Sequence, residues 1–383
     1  MFFKGSITSK SPAVTTSIFT RMSALAQQHG AVNLSQGFPD FDVSPALIDL
    51  VHKYMKEGKN QYAPMGGVLA LREAISQKIE KLYGTSYNPE TEITITAGGT
   101  QALSTAIGAL VREGDEVIIF TPAYDSYAPV VELHGGKAVY IKLKHPEYKV
   151  DWDEVKKMMT HRTAMFIINS PHNPSGAVFT AEDLDMLARI TSDSNILVLS
   201  DEVYEHITFD GIQHQSVCGH PQLAERSIAV FSFGKTFHAT GWKMGYAIAP
   251  ENLMAEIRKV HQFAVFSVHA PVQYALAEFM QNEENYNISG FYQAKRDLFR
   301  ELIAESKFKV LPCSGGYFQL LDYSEITAEK DLDFAMRLVA ERGIAAIPVS
   351  VFYNSPEYNQ VLRFCFAKNN ETLEKACAIL RGL

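Results

Sequence analysis

The runs EITIT (92–96), EVIIF (116–120), KAVYIKL (137–143), AMFIIN (164–169), NILVLS (195–200), SIAVF (227–231) and GYAIA (245–249) decide the reading of the fold. Each is short and rich in β-branched or aromatic residues, and helical patterns separate them. That alternation predicts an α/β fold built on a mainly parallel sheet of seven strands with helices on both faces. The apolar residues are consecutive rather than alternating, as they are in strands covered on both sides. After the first run, Ala102, Leu103, Ala106, Ile107, Leu110 and Val111 form one helical stripe that stops near Gly114.

Beyond Pro271 the rhythm changes to long helical stretches followed by FKVL (308–311), GYFQLL (316–321), IAAIPV (344–349) and VLRFCF (361–366), with a closing helix over 373–380. These segments predict a smaller α+β domain. A single core stops growing near roughly 250–300 residues, so a chain of 383 residues is expected to divide. The expected boundaries are an arm over 1–45 joined to the small domain, a large domain over 46–275 and a small domain over 276–383. In the arm, a helix is expected over 17–29, followed by the loop SQGFPDF (35–41). Ser44-Pro45 supplies an N-cap and first-turn pair for the next helix.

Composition narrows the function classes. An apolar fraction of 46% and a charged fraction of 20% describe an ordinary globular chain. The net charge of −8 includes no basic block able to neutralise a phosphate backbone, so no nucleic-acid partner is expected. Cys218, Cys313, Cys365 and Cys377 are scattered without a CxxC pair, which reads as reduced core thiols rather than a metal site or disulfide framework. No stretch has signal-peptide character or the length to span a bilayer. A cytoplasmic protein without membrane association is expected.

The chemistry concentrates at the ends of the predicted strands. In SFGKTFHATGWKMG (232–245), Lys235 follows a buried strand on a tight turn, at the carboxyl edge where open α/β sheets bind ligands. Desolvation and neighbouring cations lower the pKa of such an amine and make it nucleophilic towards an aldehyde; alone, the segment reads first as a solvated turn lysine. NILVLS runs into Asp201-Glu202-Val203-Tyr204. Asp201 is placed either to keep a pyridine nitrogen protonated or to cap a helix, and Tyr204 can donate to a ring hydroxyl. In Asn169-Ser170-Pro171-His172-Asn173-Pro174-Ser175-Gly176 two prolines fix a loop from which Asn173 can aim its amide at a ligand, while His172 reads as a packing residue rather than a base. Ala97-Gly98-Gly99-Thr100-Gln101 opens a helix with free N–H groups, a phosphate cradle. Tyr124 can stack on a flat ring or pack at a strand end. Arg363 interrupts an apolar run and calls for an anion, either a ligand carboxylate or a structural ion pair. Neither GxGxxG nor GxxxxGK[ST] occurs, which removes the defining residues of dinucleotide and P-loop sites.

Taken in order, the GGT turn, the Pro-aromatic pair, N-x-P-x-N-P-[ST]-G, D-E-x-Y, S-x-x-K-T-x-x-x-x-G-[WR]-[RK]-x-G and a late R-F resemble the class I and II aminotransferases of pyridoxal-phosphate (PLP) fold type I. The resemblance covers essentially the whole chain. VNLSQGFPDF, NQYAPMGG, NSPHNPSG, SFGKTFHATGWKMG and LRFCFAK are most similar to the methionine and kynurenine (glutamine transaminase K-like) members. The resemblance implies PLP as cofactor, held by Lys235 as a Schiff base, with Asp201 on the pyridinium nitrogen and Tyr204 and Asn173 on the ring hydroxyl. Tyr124 would stack on the ring. Gly99, Thr100, Ser232 and Lys243 would hold the phosphate, joined by Tyr62 of a second subunit in a homodimer with shared active sites. The substrate carboxylate would lie between Arg363, Asn173 and the backbone of Gly37, with Phe19 and Tyr62 on the side-chain pocket. Position 243 departs from the family's frequent Arg: lysine keeps the charge and loses the planar fork.

The activity so implied is ping-pong transfer of an amino group from an L-amino acid to a 2-oxo acid, with Lys235 as the proton carrier. No second arginine is evident for a distal carboxylate, which favours neutral donors: methionine, aromatic amino acids, kynurenine or glutamine. Phe19, Phe38, Tyr62, Phe266 and Tyr317 are candidates for an apolar pocket, or for ordinary core packing. A PLP-dependent C–S β-lyase shares every motif and is the alternative. A PLP-binding regulator would need an added DNA-binding domain, and a dehydrogenase would need the missing glycine fingerprint.

Overall fold

The computed structural model describes every residue except Phe2, Ala13 and Pro356. After helix α1 (Ile18–His29) and strand β1 (Val32–Asn33) come α2 (Pro45–Lys56) and α3 (Leu69–Tyr83). The large sheet uses β2 (Ile93–Thr96), β3 (Glu116–Thr121), β4 (Lys137–Lys142), β5 (Thr163–Asn169), β6 (Leu197–Asp201), β7 (Ser227–Ser232) and β8 (Gly245–Ile248). Its spatial order is β2-β8-β7-β6-β5-β3-β4, with β8 alone antiparallel to its neighbours. All seven runs read from the sequence are strands of this sheet, and the predicted mixture of parallel pairing with few exceptions holds. Helix α4 (Gly98–Leu110) follows β2 and buries Ala102, Leu103, Ala106 and Ile107 against the sheet; α5 (Tyr127–Leu133) follows β3.

A four-stranded antiparallel sheet, order β12-β13-β10-β9, is formed later in the chain by β9 (Lys309–Val310), β10 (Phe318–Asp322), β12 (Ile347–Pro348) and β13 (Val361–Cys365). β11 (Ile344–Ala345) pairs in parallel with β1, and the amide of Cys365 donates to the carbonyl of Leu34, so the arm is hydrogen-bonded to the late strands. The helix Asn370–Arg381 closes the chain. Ser17 caps α1 as its position predicts, its hydroxyl accepting from Thr20 N–H. Ser44 differs: it stands at the N-cap and its carbonyl takes the N–H groups of Leu47 and Ile48 at 3.0 and 3.1 Å, but its hydroxyl makes no capping bond.

The parallel strands bring the ends of β2, β3, β5, β6 and β7 to one edge. β8 starts at that same edge, and its first residue allows the close approach: a Cβ on Gly245 would lie 2.6 Å from the carbonyl oxygen of Phe231 and 2.9 Å from the backbone carbon of Gly98. We therefore expect Gly245→Ala to push β8 off the Gly98-Gly99 turn and to cost about 1–3 kcal/mol of stability, as overpacked sites do. Urea unfolding checks this; an unchanged midpoint would show that the turn relaxes freely.

Candidate active site

At that edge lies a cavity of about 290 Å³, lined by residues from every strand end just described. Gly98, Gly99 and Thr100 come from the turn into α4, Tyr124 from the end of β3, Asn169 and Asn173 from the end of β5, Asp201 and Tyr204 from β6, Ser232, Lys235 and Lys243 from the β7–β8 connection. Phe19 and Gly37 of the arm and Arg363 and Phe318 of the late strands close it. The structure thus gathers every candidate for holding the cofactor and the substrate carboxylate except Tyr62.

Lys235 lies on the one-turn helix Phe233–Thr236 and is half-buried. Its Nζ donates to the hydroxyl of Tyr317 at 2.9 Å and to the carbonyl of Gly37 at 3.2 Å. Neither partner is charged, so burial prevails and pushes the amine down to about 8. A neutral fraction near neutral pH is thereby available, and the solvated-turn reading is excluded. Asp201 ends β6, 5% exposed, and its Oδ2 accepts from the hydroxyl of Tyr127 at 2.6 Å. Burial raises its carboxyl to about 6. Val203 N–H reaches Oδ1 only at 3.4 Å, a weak remnant of the capping role.

Arg363 is 1% exposed on β13. Its guanidinium donates to Asn173 Oδ1 at 2.7 Å and to the carbonyl of Ser35 at 2.8 Å, and its carbon lies 3.9 Å from the ring centre of Phe318. Burial lowers it to about 10, which leaves it a cation at neutral pH. Among the described residues no carboxylate pairs with it and its Nε has no partner, so the structural ion pair expected as one alternative is not formed. The carbonyl of Gly37 is occupied by Lys235 and Tyr317, which leaves only its N–H for such an anion.

The cradle opposite has the donors a phosphate needs: the free N–H groups at the start of α4, Ser232 and Lys243. Gly98 has φ +77°, and a Cβ there would come 3.5 Å from Lys243 Nζ. Lys243 itself takes the left-handed conformation, φ 53°, which turns its side chain over the turn.

His172 is buried, bonded to Ser175 Oγ at 2.7 Å and lowered to about 4 by burial, in keeping with a packing role. Among the aromatic candidates Phe19 lines the cavity and Tyr317 meets Lys235. Phe38 instead lies under Lys368, and Tyr62 and Phe266 pack edge-on to each other at 5.3 Å, Tyr62 being 83% exposed. Those three do not line their own chain's cavity. Tyr127 and Asn169 were not singled out from sequence. Asn169 donates to the carbonyl of Asp201 at 2.8 Å and accepts from Asn173 N–H at 2.8 Å, locking two strand ends together. The Tyr124/Tyr127 spacing of one helical turn was the available signal for the second tyrosine.

A buried lysine of lowered pKa, a buried carboxylate across the cavity and a phosphate cradle at a helix start define a PLP enzyme of fold type I, and the residues present fit that cofactor. The chain matches the model of the family "Aminotransferase class I and II" over residues 29–380. It is 50% identical over 377 residues to methionine aminotransferase of Escherichia coli K12, covering 98% of each chain. The solved Escherichia coli methionine aminotransferase superposes with a TM-score of 0.97 over 99% of this chain and 100% of that one. Human kynurenine–oxoglutarate transaminase 1 is 32% identical, covering 91% of this chain and 92% of its own. N-succinyldiaminopimelate aminotransferase of Mycobacterium tuberculosis superposes at a TM-score of 0.95 with 37% identity over 98% of this chain and 100% of that one. The protein belongs to the class I and II aminotransferases: it is a PLP-dependent enzyme acting on amino acids and 2-oxo acids.

The position of Lys235 predicts the pH dependence of cofactor capture. The neutral amine attacks the aldehyde, so the capture rate of the apoprotein should be low below, and level off above, a midpoint near the amine's value of about 8. Borohydride trapping followed by peptide mass analysis reads this. A rate that keeps climbing towards pH 10 would contradict the burial argument.

Proposed function

We propose that this enzyme transfers the amino group of a neutral L-amino acid, methionine foremost, with aromatic amino acids, kynurenine and glutamine as related donors, to a 2-oxo acid. The single observation that carries the reading is the one unpaired guanidinium: among the described residues lining the cavity, Arg363 is the only arginine, so one carboxylate is met and a second is not. Phe19, Leu103 and Phe318 give the remaining lining an apolar character suited to a thioether or a ring. The 50% identity to a methionine aminotransferase supports the same choice.

PLP, when bound, supplies an aldehyde to join the amino group and a ring that delocalises the electrons left at Cα. The chain's residues do the rest. Arg363, held by Asn173 and stacked on Phe318, grips the substrate carboxylate and fixes the orientation of Cα. Lys235 Nζ would hold the cofactor and, as a free amine, would carry the proton of Cα; its pKa near 8 suits both taking and returning it. Asp201 holds the positive charge on the ring nitrogen, Tyr204 and Asn173 bind the ring hydroxyl, and Tyr124 covers the ring face. Gly99, Thr100, Ser232 and Lys243 would anchor the phosphate.

The same reading extends to the assembly. A homodimer in which the partner's Tyr62 completes the phosphate site is supported by the exposed Tyr62, Phe263 and Phe266, a surface that needs cover. The division into 1–45 with 276–383 and 46–275 is supported by the separate sheets and by the β1–β11 pairing. Location in the cytoplasm is supported by four buried free thiols. Among the described residues no helix is long and apolar enough to cross a membrane.

Lys235→Ala should abolish turnover while leaving cofactor binding measurable. Arg363→Gln should raise KM for methionine by roughly 30-fold or more, since a buried charged hydrogen-bond partner is worth about 2 kcal/mol or above. Steady-state assays with methionine, phenylalanine, kynurenine and aspartate against a common oxo acid test the donor class. Near-normal activity of Lys235→Ala, or aspartate as the best donor, would overturn it.

A further inference from the structure

Asp201 presents a difficulty that its own strand does not solve. A buried carboxylate tends to keep its proton, and a protonated Asp201 cannot stabilise a cation on the ring nitrogen. The titratable groups facing it are Lys235 from the one-turn helix, its chain neighbour Glu202, Tyr204 from the following turn, and Tyr124 and Tyr127 from the segment after β3. Lys235 favours the anion and Glu202 opposes it. The short contact is with Tyr127, whose hydroxyl lies 2.6 Å from Oδ2.

Three features make this contact more than packing. Tyr127 is 3% exposed and opens α5, with its backbone N–H bonded to the carbonyl of Tyr124 and its ring edge-on to Tyr124 at 5.6 Å, so its hydroxyl is placed by backbone and ring together. Asp201 is the one side chain its hydroxyl bonds among the described residues, and burial keeps the phenol protonated well above its usual range, so it donates throughout the working pH. Asp201 lines the cofactor cavity, whereas Tyr127 lines a second cavity of about 680 Å³.

We propose that Tyr127 is a positioning residue that holds Asp201 as an anion, with Oδ2 tied back and Oδ1 left to face the cofactor cavity. It acts on the ring nitrogen only through Asp201, and the inference rests on the assignment of Asp201 made above. Removing the hydroxyl while keeping the ring leaves the packing and takes away the donated proton. Asp201 then keeps its own proton more readily, and the ring nitrogen loses its partner.

The test is ¹⁵N NMR of the holoenzyme reconstituted with ring-¹⁵N PLP, followed across pH 6–9 in wild type, Tyr127→Phe and Asp201→Asn. Wild type should lose the protonated-ring signal only towards the upper end of this range, and Asp201→Asn should lack it throughout. Tyr127→Phe should shift its loss down by about one pH unit or more, with kcat for methionine lowered about tenfold and KM changed less than twofold. A wild-type nitrogen that is unprotonated would sink the Asp201 assignment itself. A protonated wild type with an unshifted Tyr127→Phe would sink the role of Tyr127 alone. Should Tyr127→Phe fail to fold, 3-fluorotyrosine placed at position 127, a stronger donor of nearly the same shape, should move the signal the opposite way, and no movement would refute the proposal.

Discussion

The structure turns on a guanidinium that is buried without a counter-charge. Arg363 sits inside β13 among Phe19, Phe318 and Phe352, where an uncompensated cation is expensive, and its two bonded partners, Asn173 and the carbonyl of Ser35, are neutral. Those partners come from the loop after β5 and from the arm. One side chain therefore ties three separate parts of the chain together and keeps a charge in reserve. The cost is tolerable because neutral dipoles and aromatic faces share it. On the proposed function a substrate carboxylate would complete what the protein leaves open, so that binding and orientation would come from the same interaction.

Around that charge the sheet supplies the geometry. Parallel strands place their carboxyl ends along one edge, and each ends in a residue with a single task. Burial tunes two of these groups in opposite directions: it lowers Lys235 towards a usable base and raises Asp201 away from the anion. The amine's shift serves the chemistry directly. The carboxylate's shift works against it, so Asp201 depends on neighbours that the lysine does not need.

Much of this was legible in the sequence because it was local. Consecutive apolar residues marked the buried strands, and Gly98-Gly99, Asn173, Asp201 and Lys235 each stand within a few residues of a strand end, where a motif can be read. Arg363 was visible as a charge inside an apolar run, but whether a carboxylate pairs with it depends on what lies across space, and among the described residues none does. Tyr127 and Asn169 act on Asp201 from 74 and 32 residues away in sequence, and such distant bonds leave little local trace. Tyr317 was seen as an aromatic wall; its hydroxyl contact with Lys235 spans 82 residues. Phe38 and Phe266 show the converse: an aromatic residue near a motif can still face elsewhere. Ser44 shows that a residue with capping chemistry can stand at the N-cap and leave its hydroxyl out of the cap.

The most direct test of the account is the visible absorption spectrum of the purified holoenzyme before and after a single amino acid is added without an oxo-acid acceptor. The account predicts a yellow band that is lost on adding methionine, phenylalanine or kynurenine and persists with aspartate, with the matching 2-oxo acid formed once per site. A colourless protein that takes up no PLP would contradict the central claim. A yellow one that releases pyruvate only from β-substituted amino acids would show that the same site eliminates rather than transfers.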